Sequence, residues 1–265
     1  MPVRVLARDG VTNLRAWSIV GVTARGWVSH VALAAAARSN LSDGDKVPVY
    51  HMGPPLTAIS QDDLGASEDA EEAAEGPGSE PPWHATSQAH LVAWLEDLSS
   101  DECRAMGRWH RKVSALFKAT PPPRPRYRPG SEPAIARFFQ ECRYIAHPPY
   151  REERDPVSGN LRAIWFSCAG FVIRCYGSAA VSTLVADWST AGFPALGAQD
   201  IRSIWFPAGL QWTAEIAAAL NLPGHGPWPV VVPGYVVNAF RREDTQVRHE
   251  AFMPSRADAG LGSSA

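Results

Sequence analysis

Phe166-Ser167-Cys168-Ala169-Gly170-Phe171-Val172 is the stretch on which the reading of this chain turns. A short strand-like run, Leu161-Arg162-Ala163-Ile164-Trp165-Phe166, leads into it. From Ser167-Cys168 onward, Ala169, Val172, Ile173, Tyr176, Ala180 and Leu184 recur on one side of a helix. The spacing predicts a helix from Ser167-Cys168 to about Trp188. A cysteine in the first turn of such a helix meets free backbone N–H groups and the positive end of the macrodipole. Both favour a thiolate, and the same N–H groups can hold an oxyanion. A neighbouring imidazole would complete a thiolate–imidazolium pair. The alternative reading of Cys168 is a buried thiol packing as a small hydrophobe.

Two histidines are candidates for the imidazole. His30 interrupts the strand-like run Trp27-Val28-Ser29-His30-Val31-Ala32-Leu33, and His51 interrupts Lys46-Val47-Pro48-Val49-Tyr50-His51-Met52. On adjacent antiparallel strands the two would stand side by side. Their alternative reading is a pair of core histidines bonded to backbone carbonyls. His147 of His147-Pro148-Pro149 is a third candidate base, in a loop after a helix. His84, His90 and His110 with Cys103 lack a zinc-ligand spacing, so no metal and no cofactor are expected.

Composition limits the classes open to the chain. It has 265 residues, 45% hydrophobic and 20% charged, with 25 Lys and Arg against 27 Asp and Glu. This is globular, and near-neutral charge argues against a broad nucleic-acid footprint. Eight of the acids fall between 62 and 80, where there is no Lys or Arg, which leaves the remainder at a formal +6. The absence of an eighteen-residue apolar run predicts no integral membrane segment. The first residues lack a signal-peptide stretch, and the four cysteines form no CxxC pair, so a cytoplasmic protein with free thiols is expected.

The remaining pattern reads as follows. Leu14 to Val22 is a further strand. Residues 60–85 are an acidic, flexible insertion, and 86–159 a helical insertion. Within it, Ser87 to Leu98 places Leu91, Val92, Trp94, Leu95 and Leu98 on a broad helical face. A second helix runs from Ser100 to Lys118. The Pro-rich spacer 121–130 precedes a third, from Ser131 to about Ile145. Ala208 to Leu222 reads as a helix and Trp228 to Phe240 as a strand, within a C-terminal elaboration spanning 191–254. The Ala/Gly/Ser-rich tail 255–265 is expected to be frayed.

Three separated segments, taken in order, resemble the permuted papain-like family that includes lecithin:retinol acyltransferase and the H-Ras-like suppressor phospholipase/acyltransferases. They are Ser29-His30-Val31-Ala32-Leu33, then Val49-Tyr50-His51-Met52-Gly53-Pro54-Pro55, then Ser167-Cys168-Ala169-Gly170-Phe171-Val172 with Cys175-Tyr176-Gly177. The last also resembles the Cys-Ser-Gly-Phe-Val of NlpC-type endopeptidases, a branch of the same superfamily. Ser167 stands where the acyltransferases have Asn, and the insertion between 60 and 160 has no counterpart in them.

The resemblance implies an α+β fold, with a small antiparallel sheet packed on the Cys-bearing helix. The core would be 1–59 with 160–190. It implies Cys168 as nucleophile, His30 as general base and His51 as the orienting third residue. The reaction would be acyl transfer or hydrolysis of an amide or ester through a thioester. Trp165, Tyr50 and Phe171 are the candidate substrate-binding residues, and a lipid or peptide the expected substrate. An NlpC-type peptidase or amidase is the first alternative. A non-catalytic interaction module on the same fold is the second.

Overall fold

The computed structural model describes residues 4–6, 15–24, 27–34, 49–52, 56–59, 89–119, 132–181, 184–205 and 211–261. Six strands form one antiparallel sheet: β1 (Arg4–Leu6), β2 (Ile19–Ala24), β3 (Trp27–Ala34), β4 (Val49–Met52), β5 (Leu56–Ile59) and β6 (Ala89–Ala93). Their order is β1-β6-β2-β3-β4-β5. A two-stranded ribbon, β7 (Tyr150–Arg154) and β8 (Leu161–Phe166), stands apart from it. The helices are α1 (Ser100–Ala119), α2 (Glu132–Glu141), α3 (Cys168–Gly177), α4 (Ala198–Trp205), α5 (Ala214–Ala219), α6 (Pro233–Ala239) and α7 (Asp244–His249). The chain is therefore α+β, with an antiparallel sheet and helices in one core.

The centre of the sheet explains the core. β2 pairs with β3 on one side and β6 on the other, so Ile19 lies between Leu33 and Ala93, and Gly21 between Val31 and Leu91. Ile19, Val31, Leu33, Leu91 and Ala93 pack with Cys168, Phe171, Val172, Val236 and Val237 of α3 and α6. A Cβ on Gly21 would meet the Val237 side chain at 2.8 Å, so a side chain there would push α6 off the sheet. The alternate residues Val20, Val22, Ala32, Ala34 and Val92 are buried too. A strand covered on both faces reads as an unbroken apolar run, which periodicity cannot tell from a buried helix. That is why the expected helix over Ser87 to Leu98 is instead strand β6 followed by a turn. Residues 89–93 thus belong to the core sheet rather than to a helical insertion.

Other boundaries move for local reasons. α3 ends at Gly177, not near Trp188: the Ser178 N–H closes back on Arg174 and Cys175 carbonyls, and Ala180 follows at φ 61°. The predicted strand over Trp228 to Phe240 divides. Val232 is extended, but Pro233 sits in the first turn of α6, where its missing N–H and fixed φ suit a helix start. Of the helix expected from Ala208 to Leu222, residues 208–210 lie outside the described residues, and the described part holds α5, entered through Thr213, whose Oγ1 accepts from Ile216 N at 3.3 Å. β7 and α7 carry no clear periodic signal, whereas α4 repeats Ala198, Ile201, Ile204 and Trp205 at helical spacing. Residues 255–261, read from composition as the start of a frayed tail, form a capped 3-10 turn at Arg256–Ala259. Gly260 follows at φ 76°, with its Cβ position 2.4 Å from Trp27 Cβ. The acidic stretch 62–80, the Pro-rich spacer and His84 lie outside the described residues. Among the described residues no helix is long and apolar enough to cross a membrane.

Candidate functional site

Ser167 makes the entry to α3. Its backbone is extended (φ -80°, ψ 170°), and its Oγ accepts from Gly170 N at 3.0 Å. Its N–H donates to Pro149 O at 3.0 Å. The Pro149 carbonyl lies so close to the helix that a Cβ on Gly170 would sit 1.8 Å from its oxygen. The glycine of the Cys-Ala-Gly-Phe run is therefore required by a main-chain crossing.

Cys168 follows the cap and is 1% exposed. Its Sγ lies 3.9 Å from the Tyr144 hydroxyl and takes the backbone N–H of Val31. The Val31 N–H is available for a structural reason. Ala34 bonds with Ser18, across to β2, so by alternation the N–H groups of Leu33 and Val31 point toward β4. The described pairing of β4 with β3 runs only from Ala34 to Ala32. Burial pushes the Cys168 thiol above its ordinary value, while the Val31 N–H and the Tyr144 hydroxyl pull it back. Burial also drives the Tyr144 hydroxyl well above its ordinary range. At neutral pH both groups carry their protons.

His30 precedes Val31 and stands opposite Val22 in the register. Alternation sets His30 and Ala32 on one face of the sheet, Val31 and Leu33 on the other. Burial lowers the His30 pKa to about 3, so the ring is neutral. The side chain beside the Cys168 sulfur is that of Tyr144. β3 and β4 are adjacent and antiparallel, with His51 opposite Ala32 and Tyr50 opposite Leu33. The register thus brings His51 within two residues of His30, while the side chains of His51 and Tyr50 lie outside the described residues.

Trp165 points away from Cys168. It alternates with the buried Ile164 and Phe166, and the Arg151 guanidinium covers its ring at 4.3 Å. Phe171 is a core residue, 5.4 Å from the Phe166 ring and 5.7 Å from that of Trp109. His110 is held on α1 between the Trp17 and Phe171 rings, with Ser114 Oγ 3.4 Å from its Nε2. His147 borders a separate pocket of about 830 Å³, whose lining does not include Cys168.

Tyr144 enters the site without a sequence signal. Tyr144-Ile145-Ala146 reads as the end of a helix, but α2 stops at Glu141 and Arg143 turns at φ 56°. The chain then bends through residues 146–149 past the helix entry, with Ala146 N on Leu220 O at 2.9 Å. Only the break after Glu141, not any motif, would have placed Tyr144 there. Comparison with family models, curated proteins and solved structures gives no match to this chain.

Proposed function

We propose that the chain carries out cysteine-dependent acyl transfer or hydrolysis of an amide or ester, on a permuted papain-like frame, with Cys168 as nucleophile. The observation that carries this reading is the position of the thiol. It occupies the first turn of α3 and touches the N–H of the residue that follows His30. Attack by the sulfur on an acyl carbonyl would form a thioester, with the developing oxyanion held by helix-terminal N–H groups. His30 would take the thiol proton and pass it to the leaving group, and His51 would orient the ring. The resting arrangement is closed: the thiol is buried and neutral, and the imidazole is half-buried and neutral. The reading therefore requires a movement that uncovers Cys168 and sets the His30 ring to receive its proton.

A second reading, a non-catalytic interaction module, is favoured by that same burial and by the Tyr144 contact. Iodoacetamide labelling from pH 5 to 9, followed per cysteine by mass spectrometry in wild type and His30→Ala, separates the two. The enzyme reading expects Cys168 to label faster than the other three thiols below pH 7 and to lose that advantage in the variant. Labelling of Cys168 no faster than Cys175 at every pH would leave the module reading.

A further inference from the structure

The pocket bordered by His147 has no part in the thiol reading. It is walled by Trp212 and Trp228, with His147, Thr213, Asn221 and His225 at its polar positions, and encloses about 830 Å³. That is the size of an ordinary small-molecule site. Its rim is fixed by the sequence between Asn221 and Trp228. Asn221 and Gly224 take positive φ of 59° and 67°. Trp228 Nε1 donates to Pro223 O at 2.6 Å, and Trp228 exchanges two backbone bonds with Leu196 at 2.8 and 2.9 Å. A Cβ on Gly226 would strike the Trp228 ring at 2.8 Å. The loop thus folds against its own tryptophan and holds the wall in place before any ligand arrives.

The chemistry of the lining selects the ligand. Among the described residues that line it there is no Asp, Glu, Lys or Arg, and burial holds the His147 pKa below its ordinary value. A charged ligand would find no counter-charge in that lining. Hydrogen-bonding capacity is spread around the apolar wall. Thr213 Oγ1 already accepts from Ile216 N, which leaves its O–H to donate. Asn221 Nδ2 already donates to His147 O at 2.6 Å, which leaves its side-chain carbonyl to accept. His225 is exposed at the edge. An acyl chain would desolvate these groups without returning a bond. The two indoles lie 6.1 Å apart and tilted by 40°, in contact with each other, so no slot for a flat ring remains between them. Trp228 is buried and backs the half-buried Trp212, whose ring suits the C–H face of a puckered ring, with polar groups at its edge.

We propose that this pocket binds an uncharged saccharide. The test is saturation-transfer NMR and calorimetry on the full chain, with maltotriose, cellobiose and diacetylchitobiose as probes and with adenosine and indole as flat comparators. The expected result is binding of at least one saccharide, weakened about tenfold in Kd by Trp212→Ala through loss of the exposed part of the wall. Ala218→Trp should abolish it. Ala218 is exposed and lines the pocket, so this second variant fills the space without removing a core contact. Thermal melts check that both variants fold. No binding of any saccharide, binding of the flat comparators alone, or saccharide binding unchanged in both variants overturns the proposal. Alkylating Cys168 should leave saccharide binding intact, so failure of the thiol reading and failure of this one are distinguishable.

Discussion

The first and last turns of α3 each bury a cysteine and each carry a glycine, yet they are built to different tolerances. At the first turn the Pro149 carbonyl occupies the space a side chain on Gly170 would need, and Cys168 meets a hydroxyl and a strand N–H. At the last turn nothing lies within 4 Å of a Cβ on Gly177, and burial sets the Cys175 thiol well above its ordinary value, against an opposing pull from Arg174. Burial is therefore common to both thiols. Close main-chain packing and a side-chain hydroxyl partner mark the helix entry, which is what makes that end the candidate site.

The contrast can be broken in three ways. At neutral pH the largest effect is expected from Gly170→Ala. Relieving a 1.8 Å overlap with backbone requires the helix entry or the 147–149 segment to shift, at a cost of about 3 kcal/mol. Urea unfolding would show this as a lower midpoint at unchanged slope, and a loss under about 1 kcal/mol would mean that the entry is not tightly built. Next comes acid sensitivity. His30 is neutral in the folded state down to about pH 3, whereas in the unfolded chain it takes up a proton near pH 6.5. The unfolded state then binds more protons, so stability falls as pH drops from 6.5 towards 3, by up to about 1.4 kcal/mol per pH unit. Denaturant titrations of wild type and His30→Gln over that range should show the slope shrinking in the variant. The smallest effect is at the far end of the helix. Gly177→Ala should be neutral or should stabilise by about 0.5–1 kcal/mol, the helix-interior preference of Ala over Gly. A destabilisation of the size seen at Gly170 would erase the difference between the turns.

The parts of the fold that could be read from the sequence were those with a period and a stop signal. Alternation around His30 and the long amphipathic run from Ser100 gave β3 and α1 nearly to the residue. The entry of α3 was legible because an apolar helical pattern begins at Ser167-Cys168, directly after a short strand-like run. What failed did so where tertiary contacts overrode the local pattern. Leu91 and Val92 lie on opposite faces of a sheet buried on both sides, so their segment shows no alternation to read. In α6 the helix-start signal was present at Pro233, but the β-branched valines on either side of it outweighed it. In the site, Cys168 was marked by its position. Tyr144 and the Val31 N–H were not, because their part depends on where α2 breaks and where β4 stops.

The strand order carries a consequence for how the chain is made. β2 ends at Ala24, and its neighbour β6 begins at Ala89, 65 positions later. β1 has β6 as its sheet neighbour and must wait for the same segment. At synthesis rates of about 5–20 residues per second, one edge of β2 stays open on the ribosome for roughly 3–13 s. An open apolar edge is a template for pairing with other chains. The eight carboxylates between 62 and 80 are translated within that interval. The nascent chain thus carries its densest negative charge while its central strand is least protected, and like charge keeps neighbouring nascent chains apart.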